Sequence, residues 1–166
     1  MNQIKSIINI ISGAIYICIV GFLLIAAPMV AGFRPVVVLS GSMEPTYHVG
    51  SVIYYKSTPY DNINVGDPIT FTVDAEGTMV THRVTQKQEA SQEFTTQGDA
   101  NPTEDTTPVA YNHVVGKASS FCIPYAGYAV GFAKQKMVII PMAAVLIFSI
   151  LLDTIFPDKK KKESEQ

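Results

Sequence analysis

The chain has 166 residues, a formal net charge of −2, 48% hydrophobic residues and a mean hydropathy of +0.23. This length predicts one domain, and a charge this close to neutral excludes the broad basic surface that nucleic-acid binding uses. Because the hydropathy is high for a water-soluble domain, the composition favours a membrane protein.

The chain begins with a long apolar segment, Ser6 to Phe33, which runs for 28 residues without a charge. A helix needs only about 20 apolar residues to cross a bilayer core. A cleaved secretory signal is the alternative, because Lys5 precedes the segment and Met29-Val30-Ala31 weakly resembles a cleavage site. Since a signal's apolar core has only about 7–15 residues, we predict a retained membrane anchor over residues 1–33.

Residues 34–136 are predicted to form a β-rich extracytoplasmic domain. β-Branched and aromatic residues alternate with turn-forming clusters, and short strands without a long amphipathic helix predict an antiparallel barrel or folded sheet. Cys18 in the anchor and Cys122 in this domain are expected to remain free thiols, because a bridge would pull an aqueous strand into lipid. The predicted strands are Val49–Tyr55, Pro68–Val73, Met79–Gln86, Glu93–Thr96 and Val114–Ile123.

A second apolar segment, Met137 to Leu152, has 16 uncharged residues. As a helix it covers about 24 Å, a little less than the bilayer core, so a buried helix of a soluble domain is the alternative. The lysine cluster Lys159–Lys162 is typical of the cytoplasmic side of a membrane protein. We therefore predict a transmembrane helix over 137–157, a cytoplasmic tail over 158–166, and a multi-pass protein of the cell membrane with both termini inside.

Three polar motifs follow one another in the predicted β domain. Val38-Leu39-Ser40-Gly41-Ser42-Met43-Glu44-Pro45-Thr46 supplies a serine, Met79-Val80-Thr81-His82-Arg83-Val84 supplies a histidine, and Gln97-Gly98-Asp99-Ala100-Asn101-Pro102-Thr103-Glu104-Asp105 supplies two carboxylates. A serine becomes a nucleophile near neutral pH only beside a base that is itself oriented. Each motif alone is ordinary loop or strand chemistry. Together, and in this order, they indicate serine-based catalysis.

These motifs resemble those of signal peptidase I of the endoplasmic-reticulum, archaeal and sporulation-associated type, and the resemblance covers most of the chain. It implies that Ser42 is the nucleophile and His82 the base. It further implies that Asp105 orients the imidazole and that Asp99 supports the site, although spacing alone does not decide between the two acids. Family members commonly carry asparagine where this chain has Ala100.

The backbone N–H of Ser42 and the hydroxyl of Ser40 are expected to stabilise the oxyanion. By resemblance, the reaction is removal of signal peptides from exported preproteins, with small residues at positions −1 and −3 of the cut. The substrate is expected to lie extended beside Val36, Val38, Leu39 and Met43.

The resemblance implies three partners, namely the signal peptides, the lipid bilayer and the secretion machinery, and it implies no cofactor. Only nine residue steps separate Phe33 from Ser42, so an extended chain keeps the nucleophile within about 30 Å of the anchor's outer end. Cleavage is therefore expected near the membrane surface.

Several alternatives can be compared with this hypothesis. The common bacterial branch of the family uses a lysine base, but the matching residue here is His82. A metal site built from His82, Asp99 and Asp105 would lack close ligand spacing. A membrane-tethered peptide-binding or assembly module without activity would not need the complete Ser/His/Asp set. Lys56, Lys87 and Lys117 lie outside the motif that contains His82. His48 and His113 match no motif and are expected to be surface or loop residues.

Overall fold

The computed structural model describes residues 2–133 and 136–155. Two compact units are found, one spanning Ala26–Ala129 and the other drawn from the residues before and after it. The first unit is mainly β, as the sequence predicts. Its strands are β1 (Phe33–Val37), β2 (Val52–Lys56), β3 (Pro68–Thr72), β4 (Met79–Gln88), β5 (Glu93–Gln97), β6 (Val109–Ala110) and β7 (Val114–Ile123).

The strands form one antiparallel sheet in the order β1-β2-β7-β3-β4-β5-β6. All six pairings are antiparallel, and three of them shift register, between Ile53 and Tyr55, Thr70 and Phe71, and Val84 and Gln86. Such irregularities bend strands and increase twist, which explains why the sheet is curled into a half-barrel. In the described residues β1 and β6 are the two edges of the sheet, so the folded sheet is the one of the two predicted alternatives that is observed.

The five strands predicted from the sequence are confirmed with small changes at their ends. Pairing in β2 begins only at Val52, because Val49 and Gly50 form a turn and the backbone N–H of Gly50 donates to the Val38 carbonyl. The strands β1 and β6 and the helix α2 (Ala126–Ala133) are not among the predicted elements. Where α2 begins, a Cβ on Gly127 would lie 2.5 Å from the Val37 side chain, so this close packing needs glycine.

Two apolar clusters fill the β unit. The first joins β3, β4 and β5 and contains Tyr60, Ile63, Ile69, Phe71, Val84, Phe94 and Val109. The second consists of Met43, Tyr47, Ile53 and Ala118, with Val36, Val38 and Cys122 packed against it. The second cluster therefore anchors the segment that carries the candidate nucleophile.

The other unit contains the helices α1 (Asn2–Ala26) and α3 (Lys136–Ile155). In the described part of the chain, one helical segment, Ile10–Ala31, is long and apolar enough to cross a membrane by length and composition. Its last turn is a 3-10 helix, and Gly32 then takes a left-handed conformation before Phe33 pairs with Lys56 in the sheet. Residues 156–166, which include the predicted lysine tail, lie outside the described residues.

Candidate active site

The candidate nucleophile lies in the connection from β1 to β2. Hydrogen bonds from Val38 N–H to the Ser51 carbonyl and from Gly50 N–H to the Val38 carbonyl close the base of this connection. Met43 and Tyr47 are 2% and 0% exposed and fasten it to the core. Burial raises the pKa of Tyr47 to about 12, so its neutral hydroxyl donates to the Ser119 carbonyl at 2.8 Å.

Glu44 braces the same connection from its outer side. Its N–H donates to the Gly41 carbonyl, which closes a turn around Ser42, and its carboxylate accepts from the Val49 N–H at 3.3 Å. The second carboxylate oxygen lies 2.5 Å from Nδ1 of His48. His48 is therefore a loop residue, as expected, although it helps to hold the connection that carries the candidate nucleophile.

Ser42 itself is half-buried, and its hydroxyl oxygen lies 3.4 Å from that of Ser40. Its carbonyl accepts a hydrogen bond of 2.9 Å from the Ala100 N–H. A Cβ on Gly98 would lie only 2.6 Å from the same carbonyl oxygen, so the two loops approach so closely that glycine is required. The Gly98-Asp99-Ala100 motif thus packs directly on the backbone of the candidate nucleophile.

His82 is the central residue of a second group of polar side chains. It lies on β4 opposite Ile69, is 8% exposed, and meets the edge of the Phe71 ring. Its Nδ1 lies 2.6 Å from Oδ2 of Asp105, and the hydroxyl of Thr96 donates to the same oxygen at 2.7 Å. Since the Asp105 N–H also donates to the Thr96 carbonyl, the carboxylate is fixed from two sides.

Asp99, the other predicted acid, faces different partners. Arg83 donates to both of its carboxylate oxygens, from Nε at 2.8 Å and from Nη2 at 2.6 Å. The hydroxyl of Thr46 also donates to Asp99, and Arg83 Nη1 donates to the Gly66 carbonyl. These hydrogen bonds from Arg83 lower the pKa of Asp99 against the opposing effect of burial, and they raise the pKa of Arg83. Asp99 therefore ties the connection that carries the candidate nucleophile to β4.

Three of these side chains were not identified from the sequence. Thr96 is an ordinary strand residue, and Thr46 and Arg83 flank motif residues without a spacing that marks them. The one available signal was position, because Arg83 follows His82 and Thr46 closes the serine motif. Only the folded chain shows that Arg83 and Thr46 meet on Asp99, whereas Thr96 meets Asp105.

Ser42 and His82 line neighbouring cavities. Among the hydrogen bonds of the described residues none joins the two side chains, and the recorded partner of the Ser42 hydroxyl is Ser40. A cavity of about 320 Å³ contains Ser42, and a cavity of about 550 Å³ contains His82 and Asp105. Val80 lines both cavities, so this residue separates Ser42 from His82 and Asp105.

The predicted substrate-binding residues line the smaller cavity. Val36 and Val38 are half-buried and pack on the second apolar cluster, whereas Met43 is buried and Leu39 is 85% exposed. The opposite wall is the start of β4 with the residue before it, Thr78 to Thr81. The cavity thus lies between β1, which is an edge strand, and a part of β4 that β5 does not pair, since that pairing begins at Arg83.

The three lysines considered as alternative bases have other partners. Lys117 forms an ion pair of 2.7 Å with Asp67, Lys87 lies over the Tyr60 ring, and Lys56 lies over the Phe33 ring. For the described residues, no group of three or more His, Cys, Asp or Glu side chains is arranged to hold a metal ion. Cys18 and Cys122 are both free.

Known proteins are similar to this chain in sequence over 100 residues or more. The chain is 41% identical over 100 residues to "Signal peptidase I W" of Bacillus subtilis (strain 168), covering 58% of this chain and 52% of that protein. It is 34% identical over 102 residues to human "Signal peptidase complex catalytic subunit SEC11C", covering 55% and 53% of the two chains. The chain spans about half the length of these curated relatives. No family model matches it.

Proposed function

We propose that this chain, which belongs to the signal peptidase I type family, is a membrane-bound serine endopeptidase that removes N-terminal signal peptides from exported preproteins. The observation that carries the proposal is the buried imidazole of His82, held by Asp105 beside the cavity that Ser42 lines. A peptide-binding module has no use for such an oriented base. The named functions of the relatives support the same reaction.

In the proposed mechanism the Ser42 hydroxyl oxygen attacks the scissile carbonyl while Nε2 of His82 takes its proton. Asp105 holds the proton on Nδ1, so that Nε2 is free to accept, and stabilises the positive charge that develops on the ring. When the carbon–nitrogen bond breaks, His82 returns the proton to the leaving amine. A water molecule that gives its proton to His82 then attacks the acyl-enzyme carbonyl, and the Ser42 oxygen leaves and takes the proton back.

Two features of the free site fit this mechanism. Catalytic hydrogen bonds are often long in free enzymes and shorten on substrate binding, so closure between Ser42 and His82 is assigned to the bound state. The Ser40 hydroxyl, 3.4 Å from that of Ser42, and the Ser42 N–H are the proposed oxyanion donors. One such donor contributes about 2.7–4 kcal/mol to transition-state stabilisation.

The substrate is proposed to enter the smaller cavity as an extended strand, between the edge of β1 and the unpaired part of β4. Successive side chains of a strand point to opposite sides, so residues −1 and −3 would face the same wall. Val36, Val38 and Met43 make that wall apolar, and because core residues pack behind it we propose that it accepts only short side chains. A preference for small side chains at −1 and −3 follows.

The proposed setting is the cell membrane, with the β unit on the extracytoplasmic side. Helix α1 contains most of the candidate span, and α3 is proposed as a second span, which would leave both termini in the cytoplasm. A preprotein whose apolar signal segment lies in the same bilayer presents its cut near the membrane surface. The nine residue steps from Phe33 to Ser42 limit the distance between the nucleophile and the end of the proposed span to about 30 Å.

The test is to incubate the purified full chain in detergent or liposomes with a membrane-inserted preprotein and to sequence the N-terminus of the product. We expect cleavage after a small residue, and we expect Ser42→Ala to lose cleavage while it still binds the substrate. Ser91→Ala is the matched control and should cleave normally, because Ser91 is exposed and, among the described residues, its side chain bonds to that of Gln88 alone. Binding without cleavage by the unmodified chain would favour the inactive peptide-binding module instead.

A further inference from the structure

Two cavities meet at Val80 and divide the proposed catalytic groups between them. Ser42 lines the cavity of about 320 Å³ and does not line the other, whereas His82 and Asp105 line only the cavity of about 550 Å³. The first has the apolar wall of β1 residues described above. The second cavity is the larger one and lies on the side of His82.

Ser42 and His82 act on opposite sides of the peptide bond that is cleaved. The carbonyl carbon becomes bonded to the Ser42 oxygen, whereas the leaving nitrogen receives its proton from His82. The acyl half of the substrate must therefore lie on the Ser42 side, and the amine half must extend from the His82 side. On the basis of the proposed function, we propose that the larger cavity binds the first residues of the polypeptide that follows the cut.

The lining of the larger cavity suits a polypeptide of mixed sequence. Phe71, Val73 and Pro108 supply apolar surface, and Asp105 places a carboxylate near the amine that is released. Thr106 and Thr107 lie in a segment without regular structure, and no hydrogen bond of the described residues involves either one. Both residues are exposed, so an extended chain can form hydrogen bonds with their backbone. Such backbone bonds do not depend on the side chains of the bound peptide.

The experiment obstructs this cavity without touching the proposed catalytic residues. Val73 is 55% exposed and lines the cavity, so Val73→Trp places an indole at its entrance. Val65 is 60% exposed and lines neither cavity, so Val65→Trp is the matched control. Thr107→Trp obstructs the opposite wall and serves as a second variant, in case Val73→Trp fails to fold.

Two peptides with the same acyl half are compared, one with a single residue after the cut and one with about five. For the unmodified chain, kcat/KM should be at least about tenfold higher for the longer peptide, which is about 1.4 kcal/mol of transition-state binding. Val73→Trp and Thr107→Trp should reduce this ratio to near one, because they lower kcat/KM for the longer peptide. Val65→Trp should keep the full ratio.

Other outcomes would overturn the proposal. Equal kcat/KM for both peptides with the unmodified chain would mean that nothing after the cut is bound, and an unchanged ratio in Val73→Trp and Thr107→Trp would mean that it is bound elsewhere. If no peptide is cleaved, the proposed function fails. The binding comparison of the two peptides with Ser42→Ala then tests the cavity without turnover, and equal affinities would exclude it.

Discussion

Replacing Asp105 or Asp99 by asparagine should distinguish the acid that orients His82 from the acid that stabilises the loop. Asp105→Asn keeps the shape and can still accept from Thr96, but its amide N–H can face Nδ1 of His82 and favour the wrong tautomer. The expected loss in kcat is about 10³–10⁴-fold, or about 4–5.5 kcal/mol. Only about 1 kcal/mol of stability is lost, which is about 5 °C in Tm.

Asp99→Asn should give the opposite pattern. It removes the charge that binds Arg83 through two hydrogen bonds, where the Asp99 side chain is 15% exposed and the Arg83 side chain 33%. Losing one partner of a largely buried pair costs about 3–5 kcal/mol, and the partial exposure of Arg83 reduces this to about 2–3 kcal/mol. The Tm should fall by about 10–15 °C for a unit of this size. The fall in kcat should be far smaller than for Asp105→Asn.

The assay combines thermal melts in detergent with single-turnover cleavage of one preprotein. Glu104→Gln is the matched control, because Glu104 is an exposed neighbour of Asp105 whose only recorded partner among the described residues is the Gln86 amide. It should change neither rate nor Tm. An inactive Asp99→Asn enzyme with an unchanged Tm, beside an active Asp105→Asn enzyme, would show that the roles of the two acids are reversed.

Three further predictions follow from the same geometry. Ser40→Ala should lower kcat by about 10²-fold with KM unchanged, if its hydroxyl binds the oxyanion only in the transition state, and an unaffected kcat in steady-state assays would remove that role. Gly98→Ala should lower both Tm and cleavage, because the added Cβ would lie 2.6 Å from the Ser42 carbonyl oxygen, and a fully active, stable variant would contradict that close approach. Because the folded-state pKa of Asp99 is lowered, its stabilising effect is complete above the unfolded-state pKa of about 3.9 and is lost as pH falls through the folded-state value. The Tm difference between the unmodified chain and Asp99→Asn should therefore be full at pH 7 and shrink below about pH 4, and a difference independent of pH would refute the linkage.

The sequence was sufficient for the features that depend on local patterns. The uncharged run before Phe33 predicts an apolar N-terminal helix, and alternating β-branched residues predict the five main strands, because burial and backbone preference act within a few residues. The serine, histidine and aspartate motifs resemble those of one family, and the similarity to signal peptidases supports that resemblance. Local patterns did not predict β6 or α2, since a two-residue strand and a helix containing two glycines depend on neighbours distant in sequence.

The partners of the two acids were decided only by the tertiary structure. Asp99 and Asp105 lie in one loop with similar surroundings in sequence, and spacing gives no preference between them. In the fold, pairing of β4 with β5 brings Thr96 beside His82's strand, where Asp105 meets the imidazole, while Arg83 on the other face of β4 binds Asp99. Successive residues of a strand point to opposite faces, so His82 and Arg83 must find different carboxylates. A sequence names the groups that can react, but strand register and loop packing determine which of them meet.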